Sequence, residues 1–384
     1  MRALILEEGR TLAAIAATRA LGRAGWTVGI GSPTPKGLAA ASRYSSAWHR
    51  VPSPHDDVAG FLSGLNGAVQ TGGYEICFGA GDAEVVATSA TRDEIECVVP
   101  YASHENVMRA VDKLELAAIA DRNGIAIPST VEATDEACAE VRARAVVKAR
   151  LHWQWGATNA RLHPQFVSSA ADASRAAHSI RSAGGQPMLQ EWITGKLMAV
   201  AVVADDDHRV VAAFQQISDE AGPSSPGGNV RARSVPLDRA LLTRIERFMS
   251  DLGWRGLAQL QFMRPDDGEP RLIDLNGRFY GSMALALGAG INLPATWAAL
   301  ATNRPVQPAL EPVADVRYRW LQGDLVRALE KSEWGAPGRR FNRLRYGHDA
   351  IHPISDPDDR GPLTRYLMDL VPRFATRLAR RPEG

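Results

Sequence analysis

At 384 residues the chain exceeds one typical domain, so two or three are expected, and 45% hydrophobic with 23% charged residues is an ordinary globular balance. A formal net charge of +1 excludes a general electrostatic pull toward nucleic acid or acidic membranes. No apolar run reaches the ~18 residues of a transmembrane helix, and three cysteines without metal-ligand spacing (Cys77, Cys97, Cys138) point to buried thiols in a reducing, cytoplasmic setting.

The chain opens on a short apolar stretch that reads as a first strand rather than a signal peptide. Residues 1–100 alternate strands (Ala3–Leu6, Thr27–Ile30, Tyr74–Phe78) with helical segments, the first being Thr11–Ala24 with Gly25 at its end. That order predicts a parallel, right-handed, three-layer α/β unit. The turn after the first strand is Glu7-Glu8-Gly9-Arg10-Thr11. It lacks the glycine pattern of a dinucleotide site, and two carboxylates there would repel a pyrophosphate.

Ser103–Asn123 is helical, with a restart at Asp112, whose side chain fits an N-cap position with Glu115 reaching back. Lys113 then falls in the first turn, where a lysine is ordinarily a solvated surface charge, and Gly124 ends the helix. Ala145–Ala149 is an apolar strand interrupted by Lys148, which must snorkel, pair or meet an anion. The following segment has one glycine and two tryptophans, Trp153 and Trp155, which either pack on the core or face a substrate. Pro187–Gly195 leads into an apolar strand, Leu197–Ala204.

Ser218–Ser234 is rich in Gly, Pro and Ser, a composition that reads as a long loop. Arg231 and Arg233 near its end share one face if the chain there is extended, and so could clamp a carboxylate or phosphate. An amphipathic helix over 237–252 follows, closed by Gly253. Beyond residue 305, Asp315–Leu329 reads as a strand and a helix. His348 and His352 have a zinc-protease spacing, but Gly347 and Pro353 deny them a helix and Asp349 stands where a glutamate base is needed. Leu363–Arg381 is a basic amphipathic helix, packed with its charges solvated or, alternatively, lying on a membrane surface.

The most informative stretch is Gly256–Ser282. Two apolar-alternating runs flank Asp267-Gly268, which predicts a β-hairpin with those two residues as its loop. Gln261 then opposes Asp274, Gln259 opposes Asn276 and Pro265 opposes Pro270. Alternation puts Gln259, Gln261, Leu272, Asp274 and Asn276 on one face, and Leu260, Phe262, Ile273 and Leu275 on the other. Oxygens of Gln261, Asp274 and Asn276 could thus converge on a small hard cation, with Arg278 placed to grip an adjacent anion. Taken alone, the same pattern also describes a polar, solvated strand face.

Asp274-Leu-Asn276-Gly-Arg278, following a strand that carries Gln261, resembles the metal-binding hairpin of the ATP-grasp superfamily. The run from Asn276 to Pro294 is similar to ATP-dependent carboligases of the carboxylate–amine ligase type. The resemblance implies a Rossmann-like (pre-ATP-grasp) α/β domain over 1–100 and a two-subdomain α+β ATP-grasp fold over 101–190 and 191–305. An α/β extension would fill 306–384. It implies ATP with Mg2+ or Mn2+ as cofactors: metal on Gln261, Asp274 and Asn276, nucleotide on Lys113, Lys148 and the hinge Glu191–Trp192–Ile193. Arg278 and Lys148 would be catalytic, and Arg231, Arg233 and Arg278 would face substrate. The implied reaction phosphorylates a small-molecule carboxylate and couples it to an amine, with release of ADP. No nucleic acid or membrane partner is implied, and monomer or homodimer is left open. The chain departs from the family pattern at four places: Gln261 for an acid, Asp274 for Glu, Leu197 where a ribose-binding acid is common, and a glycine-poor lid. These leave a degenerate nucleotide-binding regulatory or scaffold protein as the alternative.

Overall fold

The structure is a computed structural model that describes residues 1–151, 153, 163–221, 229–266, 268–324 and 349–369. The first unit carries β1 (Arg2–Leu6), α1 (Leu12–Arg23), β2 (Thr27–Ser32), β3 (Ser45–Arg50), α2 (Val58–Gly72), β4 (Ile76–Gly79) and α3 (Asp82–Ala90). Its four strands are all parallel, in the order β3-β2-β1-β4. Apart from the exposed Arg2 that opens β1, β1 and β4 are apolar and buried on both faces, as a parallel sheet sandwiched by helices requires. The chain leaves β1 for β2 on one side and reaches β4 on the other, so the strand order reverses between β1 and β4. Outside the carboxyl ends of two such strands a crevice forms.

The helical stretch after this unit divides where Asp112 implies. α4 (His104–Val111) ends at Asp112, and the same residue caps α5 (Lys113–Arg122), accepting from the backbone N–H groups of Leu114 and Glu115. Glu115 does not reach back; it pairs with Arg109. A small sheet follows: β5 (Thr130–Glu132), α6 (Asp135–Ala139), β6 (Ala145–Ala149), β7 (Gln165–Val167), α7 (Ala170–Ser182) and β8 (Pro187–Glu191), with strand order β5-β8-β6-β7.

The large sheet begins directly after it. It contains β9 (Lys196–Ala204), β10 (Val210–Ala221), β11 (Asn229–Ser234), α8 (Arg239–Leu252), β12 (Gly256–Arg264) and β13 (Arg271–Asn276). α9 (Met283–Gly288), α10 (Leu293–Ala301) and β14 (Arg317–Arg319) complete it, with strand order β13-β12-β9-β10-β11-β14. Leu241, Ile245, Phe248 and Leu252 form the buried stripe of α8, which ends at Gly253 in the left-handed conformation.

Burial divides the molecule unevenly. The parallel unit and the large sheet share one core, whereas Cys138, Val147, Val167, Ala173, Ala177 and Ile180 give the small sheet a core of its own. The small sheet is therefore an independently packed leaf. The segment 349–369 straps back onto the parallel unit. There the fully buried Asp359 carboxylate accepts from Arg19 Nε (2.8 Å), Ser42 Oγ (2.7 Å) and the Arg43 N–H (2.8 Å). No helix among the described residues is long and apolar enough to cross a membrane. Cys77 is buried against Cys97, which is only half-buried.

Trp155, residues 222–228, Asp267, residues 325–348 (His348 among them) and the chain after 369 lie outside the described residues; the described parts of Ser218–Ser234 are not the expected loop but the paired ends of β10 and β11. His352 is described. Its Nδ1 meets the Arg319 carbonyl (3.0 Å), beside an isolated bridge between Ile351 and Tyr318.

Candidate active site

β12 and β13 pair antiparallel with Gln259 opposite Asn276 and Gln261 opposite Asp274, as the sequence predicts. The rest of the hairpin differs. After the Gln261–Asp274 pair the register slips, so that Phe262 opposes Leu272 and Met263 opposes Arg271. Ile273 is the extra residue of a β-bulge, and the strands end at Arg264 and Arg271 instead of running to a two-residue loop at Asp267-Gly268. Leu272 thereby joins the buried face of Phe262 rather than the polar face. A signal for this was present: a Pro265–Pro270 pair offers no N–H to the ladder, so pairing cannot continue through it.

The bulge has a chemical consequence. The Ile273 carbonyl accepts from Lys148 Nζ (3.1 Å), so a lysine of the small sheet reaches the large one. Burial, then the nearby Lys113 charge, holds the Lys148 ammonium down to about 8, with Asp274 opposing the shift. Lys113, buried at the first position of α5, has its Nζ 3.6 Å from Asp274 Oδ1. Its neighbour Asp112 is gripped by Arg150, with both carboxylate oxygens 2.8 Å from Arg150 Nε. Burial works against the Asp112 charge, but Arg150 and the helix N–H groups hold its carboxyl below the usual range. Arg150 also accepts at its carbonyl from the Lys113 N–H (3.3 Å). One residue thus ties the helix of Lys113 to the strand of Lys148, fixing the spacing of the two ammonium groups. Asp112→Ala should lower folding stability by about 1–2 kcal/mol through the lost cap alone, with Asp112→Asn recovering part of it; thermal melting of both variants checks this.

Gln261, Asp274 and Asn276 present two amide oxygens and one carboxylate on one face. Asn276 Nδ2 donates to Gln259 Oε1 (3.2 Å), which turns the Asn276 carbonyl oxygen away from Gln259. Hard oxygen donors of this kind suit Mg2+ rather than zinc or copper. Among the described residues no group of three or more His, Cys, Asp or Glu side chains forms an alternative metal cluster. The chain then passes over Trp254 at Gly277, where a Cβ would lie 2.4 Å from the indole. Only glycine allows that approach, and it delivers Arg278 to the parallel unit. There Arg278 Nε meets Asp82 Oδ1 at 2.6 Å, with a second contact at 3.3 Å, and Nη1 donates to the Phe279 carbonyl (3.1 Å).

Glu191, Trp192 and Ile193 form the connection between the two sheets. The Glu191 carboxylate accepts from Arg271 (3.0 Å) and the Ser129 N–H (3.2 Å), Trp192 packs edge-on against Phe166, and Ile193 is buried. Leu197 is buried on β9.

Arg231 and Arg233 share a face of β11, as alternation predicts, but are not brought to the Gln261 group. The ladder runs Gln261–Ala199–Gln216–Ser234, so Ser234 lies on the Gln261 face and the two arginines on the other. Arg231 pairs with the buried Asp324 (2.7 Å), and Arg233 with Asp219 (3.4 Å) and Asp315 (3.2 Å).

The comparisons with known proteins bear on the fold. A family described as "ATP-grasp in the biosynthetic pathway with Ter operon" matches residues 186–324, the stretch from β8 through the hairpin to Asp324. A comparison with curated proteins finds no match. Among solved structures, the L-amino acid ligase from Bacillus licheniformis is similar at a TM-score of 0.60 and 15% identity, covering 81% of this chain and 77% of that one. The N5-carboxyaminoimidazole synthetase from Staphylococcus aureus is similar at 0.63 and 10% identity, covering 88% and 86%. The biotin carboxylase domain of 2-oxoglutarate carboxylase from Hydrogenobacter thermophilus, solved with MgADP and bicarbonate, is similar at 0.63 and 11% identity, covering 82% and 72%. At these identities the likeness is one of fold, and the fold is ATP-grasp.

Proposed function

We propose that this ATP-grasp protein is an ADP-forming ligase that phosphorylates a carboxylate and couples the acyl group to an amine. The observation that carries the reading is the convergence of Lys113, Lys148 and Arg278 around the Gln261–Asp274–Asn276 face, where the two sheets meet. Three cations against two carboxylates, Asp274 and Asp82, leave a net positive site for a highly charged anion. A triphosphate that must shed its terminal phosphoryl group is such an anion.

The chemistry has two steps. A substrate carboxylate oxygen bonds to the γ-phosphorus as the β–γ bridging bond breaks, releasing ADP and leaving an acyl phosphate. The amine nitrogen then bonds to the acyl carbon as the carbon–oxygen bond to phosphate breaks, releasing inorganic phosphate and, from the nitrogen, a proton. Splitting the reaction this way replaces an oxide leaving group with phosphate. Lys148 and Lys113 hold the triphosphate, and Arg278, fixed by Asp82, bears on the charge that develops at the acyl centre. Gln261, Asp274 and Asn276 would hold Mg2+ or Mn2+, which supplies charge neutralisation on the phosphates. Glu191–Ile193 would offer backbone groups to the adenine edge, with Ile193 as an apolar wall. The solved relatives named for L-amino acid ligase and N5-carboxyaminoimidazole synthetase activities support the class of reaction.

With MgATP and a panel of small carboxylic acids, including the L-amino acids, the protein should release ADP in an acid-dependent manner. Hydroxylamine should trap the activated acid as a hydroxamate. Release of AMP and pyrophosphate instead would mean adenylation and would overturn this mechanism.

A further inference from the structure

The contact between Arg278 and Asp82 joins two segments that their own local structure does not hold. α3 opens on Asp82 after Gly81, which offers no side-chain cap. Arg278 stands past the end of β13, after Gly277, which has no side chain to pack. Four buried rings hold the two segments together: Phe78, Tyr101, Phe279 and Trp297, each at most 1% exposed. Phe78 lies on β4 four residues before Asp82, and Phe279 directly follows Arg278. Their rings meet at 5.3 Å. Trp297, on α10, packs against both, at 4.7 Å from Phe78 and 5.6 Å from Phe279, in the edge-to-face geometry that aromatic pairs favour. Its Nε1 donates to the Pro100 carbonyl (3.1 Å), which fixes the indole in its plane.

Tyr101 completes the group at 5.4 Å from Trp297, and its hydroxyl adds a polar contact. That oxygen accepts from the Gly79 N–H (2.7 Å) and donates to the Gly79 carbonyl (3.4 Å). β4 is the last strand of the parallel sheet, so the ladder with β1 leaves this N–H to another partner. Without the hydroxyl it would be buried and unsatisfied. A Cβ on Gly79 would lie 2.9 Å from Glu84 Cβ, so the end of β4 packs directly on α3 and sets where Asp82 stands. Tyr101 is itself anchored. Arg92 donates to the Val99, Tyr101 and Ala102 carbonyls (2.7, 2.9 and 2.6 Å). Burial holds the Tyr101 hydroxyl well above its ordinary pKa, so it stays a neutral donor and acceptor. In a close-packed interior a shift of one ring is passed to its neighbours.

From this arrangement we infer that Tyr101 and Trp297 are positioning residues of the reaction, setting where the Arg278 guanidinium stands without touching substrate or nucleotide. Tyr101 holds the strand end that presents Asp82. Trp297 holds the ring beside Arg278 against that strand. The inference rests on the ligase reading, in which Arg278 bears on the acyl centre, and adds two residues that act through it.

The test uses the full chain with MgATP and an acid that supports ADP release. Tyr101→Phe keeps the ring and loses only the hydroxyl. Trp297→Phe keeps an aromatic ring and loses the bond to Pro100. Each should lower kcat roughly 10-fold, on a scale where a displacement of about 1 Å costs about 100-fold. KM for ATP should stay unchanged, because Lys113 and Lys148 hold the triphosphate. Both substitutions are then repeated in an Arg278→Lys background, which keeps a cation at the site. Residues that act through Arg278 lose their effect there, so the double variants should be no slower than Arg278→Lys alone. Melting temperatures read the packing cost separately, and if Trp297→Phe does not fold, Tyr101→Phe decides alone. An unchanged kcat in the single variants overturns the inference. So do losses that multiply in the Arg278→Lys background, or a rise in KM for ATP in place of the fall in kcat, since both mark a general structural role. A wild-type protein that releases no ADP with any acid overturns the ligase reading itself, and the inference with it.

Discussion

Asp274→Asn should lower kcat by roughly 10²–10³, the scale of losing one group that stabilises developing charge, while the melting temperature barely moves. The reasoning is electrostatic. Asp274 is the only carboxylate among the three oxygen donors of the hairpin face, so the change leaves a neutral set to hold a doubly charged cation. It also removes the partner 3.6 Å from Lys113, freeing that ammonium to shift away from its present place. The side chain is partly exposed and the substitution nearly isosteric, so the β12–β13 ladder has no reason to open. Gln261→Glu tests the same logic in reverse: it adds a second carboxylate directly across from Asp274 and should lower the Mg2+ concentration needed for half-maximal ADP release. Normal turnover in Asp274→Asn across a Mg2+ titration would show that this hairpin does not hold the metal.

Much of this site was legible before any coordinates. The Asp112 cap located the helix break to the residue and put Lys113 in the first turn of α5, although not its burial. The cross-strand pairs Gln261–Asp274 and Gln259–Asn276 followed from strand alternation alone. What escaped was set by tertiary contact rather than local preference. No residue type announces that Ile273 will bulge, although two facing prolines indicated that the ladder must stop early. The pairing of Arg150 with Asp112 joins residues 38 apart in sequence, and that of Arg278 with Asp82 joins residues 196 apart. For Arg231 and Arg233, alternation gave a shared face, but choosing which face required the register through two intervening strands. Asp82 and Glu84 did leave a trace: two acids opening a helix directly after a Gly79-Ala80-Gly81 turn, at the end of a parallel strand. The four departures from the family pattern suggested a degenerate site, yet Lys113, Lys148 and Arg278 are assembled around the hairpin.

Lys148→Met should cut kcat/KM for ATP by roughly 10²–10³ at pH 7, on the scale of one lost charge-assisted contact to a reacting phosphate, without destabilising the fold. Lys148 is nearly fully buried on an apolar strand, and its pKa is held down to about 8 from 10.5. The folded protein therefore binds fewer protons than the unfolded chain between those values. By linkage, this group costs stability below about pH 8, and the cost fades as pH rises toward 10.5. Methionine removes the buried charge and keeps the volume, so the variant should melt at or above the wild-type temperature at pH 7. Function follows the opposite sign. In free wild-type enzyme the ammonium is lost as pH climbs through about 8, so ATP binding must then recruit a proton, and KM for ATP should rise about tenfold per unit beyond that point. The methionine variant has no such proton to lose. The gap between the two enzymes should therefore shrink by about tenfold from pH 7 to pH 9, whereas Lys148→Arg, charged throughout, should show no alkaline rise in KM. If the gap stays constant from pH 7 to pH 9, Lys148 does not meet the triphosphate as a cation, and its reach to the Ile273 carbonyl is only a structural tie between the sheets.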